Sequence, residues 1–157
     1  MLGALMFTSK IAMEGLPNVH LLGVLTVAYT VVFRLRALFP IYIYVMLNGL
    51  FAGFSLWWVP YLYIWTLLWG ATMLLPKHLT RRAAAVAYPT LTALHGIAFG
   101  ALYAPAQAIL FHLSFRETLA WIAAGLPFDL LHSVSNFALG LLVFPITRVL
   151  FMLKRRI

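Results

Sequence analysis

Residues 17–36, PNVHLLGVLTVAYTVVFRLR, show the pattern from which a membrane helix is predicted. It opens at a proline, continues as an apolar run and ends at Arg34 and Arg36. A helix needs about 20 mostly apolar residues to cross a membrane, because each residue adds about 1.5 Å and the hydrocarbon core is about 30 Å thick. The stretch therefore predicts a membrane-spanning helix over roughly 18–33 that ends at a basic turn.

The composition of the whole chain also indicates a membrane environment. Of the 157 residues, 64% are hydrophobic and 9% are charged, and the mean hydropathy is +0.99. A soluble domain carries about 25% charged residues. A water-soluble fold could not hide this much apolar surface, so we expect lipid to cover most of the outer face. The length predicts a single domain over residues 1–157.

Apolar runs separated by proline, glycine and basic residues predict an all-α integral membrane protein, a bundle of six transmembrane helices. The expected ranges are 1–16, 18–33, 37–56, from the junction at 57–60 to about 75, 84–111 and 127–152. Residues 112–126 are expected to connect the last two helices through a short amphipathic stretch. Strands are not expected, because the runs are continuous and do not alternate. Residues 1–7 predict the start of a retained helix and not a cleaved signal.

The basic residues predict the orientation of the bundle. Eleven Lys and Arg residues against three acidic residues give a net charge of +8. They fall in short clusters between apolar runs, which indicates membrane orientation and argues against a nucleic-acid partner. With six helices, three clusters share one side with both termini, and the positive-inside rule makes that side cytoplasmic. The clusters are Arg34 and Arg36; Lys77, Arg81 and Arg82; and Lys154, Arg155 and Arg156.

Polar and aromatic side chains gather in the outer halves of several predicted helices. Such groups are costly inside a membrane and usually face a cavity or another helix. A polar lining at one depth predicts a pocket open to the outside, whereas a channel needs polar lining at all depths. The candidate substrate-binding residues are Glu14, Asn18, His20, Asn48, Trp57, Trp58, Tyr61, Trp65, His95, Tyr103, Gln107, Asp129, His132 and Asn136.

Two helical stripes sharpen this prediction, and each has a structural alternative. One stripe is Asp129, His132, Ser133 and Asn136, and the other is His95, Phe99, Tyr103 and Gln107. Asp129 could instead lie in the first turn of the sixth helix, where an acid favours the helix dipole. The His and Asn side chains could be interhelical hydrogen-bond partners, and the outer Trp and Tyr residues could form an interfacial belt. Lys10 and Glu14, four residues apart, are expected to pair.

Several short motifs resemble those of the substrate-binding (S) components of energy-coupling factor transporters. They are Leu16-Pro17-Asn18 after a first helix, a second helix that ends in basic residues, Gly53-Phe54 before Trp57-Trp58, and Pro127-Phe128-Asp129-Leu130-Leu131-His132 followed by Asn136-Phe137. In this order they extend over nearly the whole chain. The resemblance implies six helices with a pocket near the outer face of a prokaryotic plasma membrane. It also implies that the ligand is a vitamin or a related micronutrient.

The resemblance further implies partners and a docking face. Members of the family dock on a transmembrane coupling (T) component and two cytoplasmic ATPase subunits. Small residues on the first helix make that contact, which corresponds here to Ala4, Thr8 and Ala12, and the loop around 15–19 would cover the pocket. The chain has no phosphate-binding Gly-Lys-Ser/Thr loop, so we expect ATP hydrolysis on a partner and no cofactor or catalysis of its own.

Three other functions stay open from the residues alone. A membrane-embedded enzyme could use His95, Asp129 and His132 for acid–base chemistry or to hold a metal, although no metal-ligand motif of known spacing appears. The absence of cysteine excludes disulfides, thiolate metal sites and cysteine nucleophiles. A structural or assembly subunit and a carrier that acts alone are the remaining alternatives.

Overall fold

Helices form nearly all of the chain in the computed structural model, which describes residues 1–155. They are α1 (Leu2–Ala12), α2 (Leu22–Phe33), α3 (Leu38–Ala52), α4 (Tyr61–Met73), α5 (Arg81–Leu110), α6 (Phe115–Gly140) and α7 (Val143–Lys154). Short 3-10 helices at Arg34–Ala37 and Leu56–Trp58 connect neighbouring helices. No strand occurs in residues 1–155, so the all-α prediction is confirmed. Arg156, predicted to belong to the last basic cluster, lies outside the described residues.

Residues with a positive φ end α2 and α3, and another lies in the turn that follows α1. Asn18, in the turn after α1, has a φ of 57°, and Arg34 after α2 has a φ of 54°. Gly53 ends α3 with a φ of 88°, a conformation that glycine adopts without steric cost. Helices α1 to α4 contain 11, 12, 15 and 13 residues, fewer than their predicted ranges. Each is shorter than the about 20 residues that cross a membrane alone.

The chain reverses direction between α2 and α3. The ring of His20, just before α2, lies 6.2 Å from the ring of Trp65, whereas the Arg34 guanidinium donates to the Met73 carbonyl at 2.9 Å. Helix α2 therefore runs in the same direction as α4. Helix α3 runs the opposite way, because the Val45 carbonyl accepts a hydrogen bond from the Trp58 indole at 2.8 Å. This turn confirms that residues 22–52 form two helices separated at the basic pair, as predicted.

Helices α5 and α6 form the longest antiparallel pair. The Thr92 hydroxyl on α5 donates to the Asn136 carbonyl on α6 at 2.8 Å, and the Asn136 amide donates back to the Thr92 carbonyl at 3.2 Å. A Cβ atom at Gly96 would lie 2.9 Å from the Cα atom of Ser133. The absence of that atom lets the two backbones approach closely, as small residues do in membrane helix pairs.

The beginning of α6 corrects the predicted connection at 112–126. Ser114 and Glu117 form a capping box, in which the Ser114 hydroxyl accepts from the Glu117 N–H and the Glu117 carboxylate accepts from the Ser114 N–H. The helix therefore begins at Phe115 and passes through Pro127 without ending. Asp129 lies in its interior, so its alternative placement in the first turn of a helix is wrong. The predicted helix at 127–152 is divided into α6 and α7, bent by 50°.

The basic residues of several elements meet at one end of the bundle, called the basic end below. The Lys154 ammonium donates to the Val32 carbonyl at 3.1 Å, near Arg34. Arg148 on α7 lines one groove with Arg81 and a second with His78 and Arg155. The polar residues at the start of α2 and the end of α5 lie at the opposite end.

By length and composition alone, two stretches of the described chain qualify as candidate membrane spans, namely Leu22–Ala52, within which the chain reverses direction at Arg34, and Arg81–Leu110. The bent pair Phe115–Gly140 and Val143–Lys154 would add a third. Large apolar side chains remain exposed on the outside of the bundle, with Phe39 on α3 at 72% and Ile109 on α5 at 74%. Such a surface suits an apolar solvent.

Candidate functional site

A cavity of about 460 Å³ lies at the end of the bundle opposite the basic end. Helices α5 and α6 form its two long walls, and the loop before α2 and the 3-10 helix before α4 contribute one residue each. Its lining residues are Asn18, Trp57, Phe99, Gly100, Tyr103, Gln107, Phe111, Trp121, Gly125, Phe128 and Asp129. The volume falls within the range of about 300–1,000 Å³ that small-molecule sites occupy.

Asp129 has the only carboxylate in this lining, which contains no Lys, Arg or His. Its side chain is 6% exposed, and the backbone N–H of Gly100 on α5 donates to both of its carboxylate oxygens, at 3.2 and 3.1 Å. A Cβ atom at position 100 would overlap the carboxylate, so glycine is required for this contact. No ion pair to Asp129 is present among residues 1–155. A buried carboxylate with one backbone donor keeps unused acceptor capacity.

Aromatic rings form most of the remaining wall. The rings of Tyr103 and Trp121 stack, with centroids 5.9 Å apart and planes inclined by 20°. The Tyr103 hydroxyl donates to the Trp57 carbonyl at 2.6 Å, which ties α5 to the segment before α4. Phe99 lies between this wall and the interior, 6.2 Å from Tyr103 and 5.1 Å from His132 between ring centroids. The cavity is therefore a groove lined by aromatic rings and one carboxylate.

Behind Phe99, Trp65 is the centre of a buried group of rings, called the Trp65 cluster below. His20 from the loop and His132 from α6 approach each other to 4.8 Å between ring centroids. The rings that contact Trp65 are His95 at 5.6 Å, Tyr44 at 6.0 Å, Tyr61 at 6.1 Å, and His20 and Phe99 at 6.2 Å each. Five elements thus place aromatic and imidazole groups around one buried indole.

The Trp65 cluster contains polar atoms that have no hydrogen-bond partner within residues 1–155. They are His20 Nδ1, Tyr44 Oη, Trp65 Nε1, His95 Nδ1 and His132 Nε2. A buried polar group without a partner costs about 1–3 kcal/mol, so such groups are rare unless a function retains them. No group of three or more His, Asp or Glu side chains in the described residues is arranged to hold a metal ion.

The structure divides the predicted site residues into three groups. The cavity lining contains Asn18, Trp57, Tyr103, Gln107 and Asp129. The Trp65 cluster contains His20, Tyr61, Trp65, His95 and His132. Four others lie outside both groups, namely Glu14, Asn48, Trp58 and Asn136.

These four residues have other surroundings. Glu14 pairs with Lys10 at 3.0 Å on the surface, which confirms that predicted pair. The Trp58 indole binds the Val45 carbonyl, and Asn136 binds Thr92 across the α5–α6 contact. Asn48 is buried on α3, and its Oδ1 atom has no partner in the described residues. Asn136 therefore matches the alternative of an interhelical hydrogen-bond partner.

Asp129 and His132 are not joined by a hydrogen bond in the described structure. The Asp129 carboxylate accepts from Gly100, and His132 Nε2 has no partner within residues 1–155.

Six cavity residues were not among the predicted site residues. They are Phe99, Gly100, Phe111, Trp121, Gly125 and Phe128. Two signals could have revealed three of them, namely Gly100, Trp121 and Gly125. Thr92, Gly96 and Gly100 recur every four residues and mark the face of α5 that approaches α6. Trp121 and Gly125 continue the stripe of Asp129 toward the N-terminus of α6, once the capping box shows that the helix begins at Phe115.

The predicted docking residues share one surface. Ala4, Thr8 and Ala12 are all exposed and lie at steps of four along α1. Met6, between them in sequence, is fully buried against the core. The row therefore forms an open strip of small side chains on the outside of the bundle.

No protein-family model, curated protein or solved structure matches the chain.

Proposed function

We propose that this chain is a membrane-embedded binding subunit that captures a small water-soluble vitamin or related micronutrient from outside the cell. A separate module, with a transmembrane coupling component and two cytoplasmic ATPases, would drive import. One observation carries the proposal. A cavity of about 460 Å³ at one end of an apolar bundle adjoins a buried cluster whose polar atoms have no partner in the described residues.

The cavity and the Trp65 cluster behind it together support a site for a polar solute. The cavity supplies rings and a carboxylate, and the Trp65 cluster behind Phe99 supplies free donors and acceptors. In a membrane the alternative partner, bulk water, is scarce, so unsatisfied groups are costly unless a ligand or another helix pairs with them. A polar solute that reached past Phe99 would pair with several of these groups at once.

The distribution of charge supports the orientation. Arg34, Arg81, Arg148 and Lys154 lie at the basic end, and the cavity lies at the other. By the positive-inside rule the basic end faces the cytoplasm, so the cavity faces outward and both termini are cytoplasmic. Helices α5 and α6, the long antiparallel pair, would then cross the cell membrane in opposite directions.

The open strip of Ala4, Thr8 and Ala12 supports a helical partner. Small side chains let a neighbouring helix approach the backbone closely in lipid, and these three are exposed in the isolated chain. We assign this strip to the coupling component. The remaining exposed apolar surface, such as that of Phe39, would contact lipid.

Binding to the purified chain tests the proposal. The full chain in lipid nanodiscs is titrated with a panel of water-soluble vitamins and their ring-containing precursors, and equilibrium dialysis and tryptophan fluorescence are measured. We expect saturable 1:1 binding of at least one compound with a Kd at or below about 1 μM. A folded protein that binds no member of the panel would contradict the proposal.

A pair of tyrosine variants supplies the control. Tyr103→Phe removes the hydroxyl that holds the Trp57 carbonyl in the cavity wall, and Tyr42→Phe removes a similar hydroxyl that binds the Leu62 carbonyl at 2.9 Å outside the cavity. Tyr103→Phe loses one phenolic hydrogen bond, and Tyr42→Phe loses its bond to Leu62 and a second contact with the Thr66 hydroxyl at 2.8 Å. Each such bond contributes about 1 kcal/mol. Only Tyr103→Phe should weaken ligand binding, by about fivefold or more. Equal losses in both variants would indicate a general effect on folding.

A further inference from the structure

We infer that the cavity selects a flat heteroaromatic cation over neutral or anionic rings of the same size. The inference rests on the proposed function, since it names the chemical class of the solute that this cavity takes. It follows from the charge of the lining, the burial of Asp129 and the kinds of side chain around it.

The charge of the lining is wholly negative. Among the eleven lining residues, Asp129 is the only acid, and none is a Lys, Arg or His. The Lys10 side chain, on α1, pairs with Glu14. An anionic solute would therefore meet one carboxylate and no compensating cation at this site.

The burial of Asp129 makes its charge costly without a cation. Its side chain is 6% exposed and the single N–H of Gly100 is its donor. An ionised carboxylate that is removed from water needs a paired cation or several donors. A cationic ligand supplies that charge, and its attraction to the carboxylate is strengthened by the low dielectric of the groove. A neutral ligand has no charge to offset the desolvation of the carboxylate.

The rings of the wall favour a flat cation for a second, independent reason. Six lining residues are aromatic, namely Trp57, Phe99, Tyr103, Phe111, Trp121 and Phe128. Ring faces attract cations, most strongly at Trp, and stack on planar groups. The amides of Asn18 and Gln107 add donors and acceptors for polar atoms on the edge of such a ring.

A matched series of pyridine probes tests the charge preference. The cation 1-methylnicotinamide, neutral nicotinamide and anionic nicotinate share one ring and differ chiefly in charge. Each is titrated against the full chain in nanodiscs of uncharged lipid, alone and in competition with any compound that the vitamin panel shows to bind. We expect the cation to bind at least about tenfold more tightly than nicotinamide, with nicotinate the weakest.

Two variants on one helix localise the effect. Asp129→Asn keeps an oxygen that accepts from Gly100 but removes the charge, and it should erase the preference for the cation. Glu117→Gln removes the other acid of α6, outside the cavity, and glutamine still completes the capping box. This control should keep the preference within about twofold. If Asp129→Asn does not fold, the relative affinities of the three pyridine probes for the unaltered chain test the charge preference on their own.

The outcomes separate the inference from the proposed function. Equal or tighter binding of nicotinamide or nicotinate, or a cation preference that survives in Asp129→Asn, overturns the inference and leaves the proposed function intact. If none of the pyridine probes binds but a larger vitamin does, the charge of that vitamin tests the inference. A neutral or anionic vitamin whose affinity does not change in Asp129→Asn overturns the inference. If the folded chain binds neither the probes nor any vitamin, the proposed function itself fails.

Discussion

The backbone N–H of Gly100 on α5 donates to both carboxylate oxygens of Asp129 on α6, at 3.2 and 3.1 Å. This contact fixes the acid of the cavity against the opposite helix. It also depends on the absence of a side chain, because a Cβ atom at position 100 would overlap the carboxylate.

Gly100→Ala should therefore destabilise the chain by about 1–3 kcal/mol, as overpacking of a close contact does. Thermal unfolding in detergent measures the change. Gly70→Ala is the matched control, since a Cβ atom at this helical position meets nothing within 4 Å, and it should be neutral or stabilising by up to about 1 kcal/mol. Equal stability of the two variants would show that α5 and α6 do not meet at Gly100.

His132→Phe tests the role of the unpartnered atoms in the Trp65 cluster. The change keeps a ring beside His20 and Phe99 and removes the buried Nε2 atom that has no partner in the described residues. We expect the unliganded protein to keep or gain stability, because an unsatisfied polar group is lost, and ligand affinity to fall about tenfold. A variant that loses stability but binds normally would assign His132 to packing alone.

Ser114→Ala tests where α6 begins. Loss of the capping hydroxyl should cost about 1 kcal/mol and speed amide exchange at residues 115–118. Hydrogen exchange followed by mass spectrometry measures this directly. Exchange in this segment that is already fast in the unaltered chain, and is unchanged by the substitution, would favour a helix that starts near Pro127.

Trp121 should report most of the ligand-induced fluorescence change, because it stacks on Tyr103 in the cavity wall. Replacement of Trp121 with Phe is expected to reduce the signal by more than half. Trp69→Phe is the control, since the Trp69 indole binds the Arg34 carbonyl at the basic end. A signal that disappears with Trp69 and persists without Trp121 would move the binding site away from the cavity.

The sequence predicted the parts of the fold that local pattern determines. The basic pair Arg34 and Arg36 indicated the turn between α2 and α3, and a long apolar run indicated α5. The start of α6 was not predicted, because Pro127 and the charged residues Arg116 and Glu117 interrupt the apolar pattern. The capping box at Ser114 was the local sequence signal that marks the start of α6 despite these interruptions.

The site was predictable by residue type but not by arrangement. Polar and aromatic residues pointed to one end of the bundle, whereas the contact of His20 with Trp65 joins residues far apart in sequence. The cavity also depends on Gly100 and Trp121, which carry no charge or catalytic group and gain a role only when α5 and α6 pack together. Such roles come from tertiary contacts that periodicity alone does not specify.

Labelling of single cysteines in intact cells tests most directly whether the cavity opens to the outside. The chain has no native cysteine, so Gln107→Cys in the cavity and Lys77→Cys between α4 and α5 can each be probed alone. We expect a membrane-impermeant maleimide to label position 107 in intact cells and position 77 only after permeabilisation. Labelling of position 77 in intact cells, with position 107 protected until permeabilisation, would contradict capture from the outside.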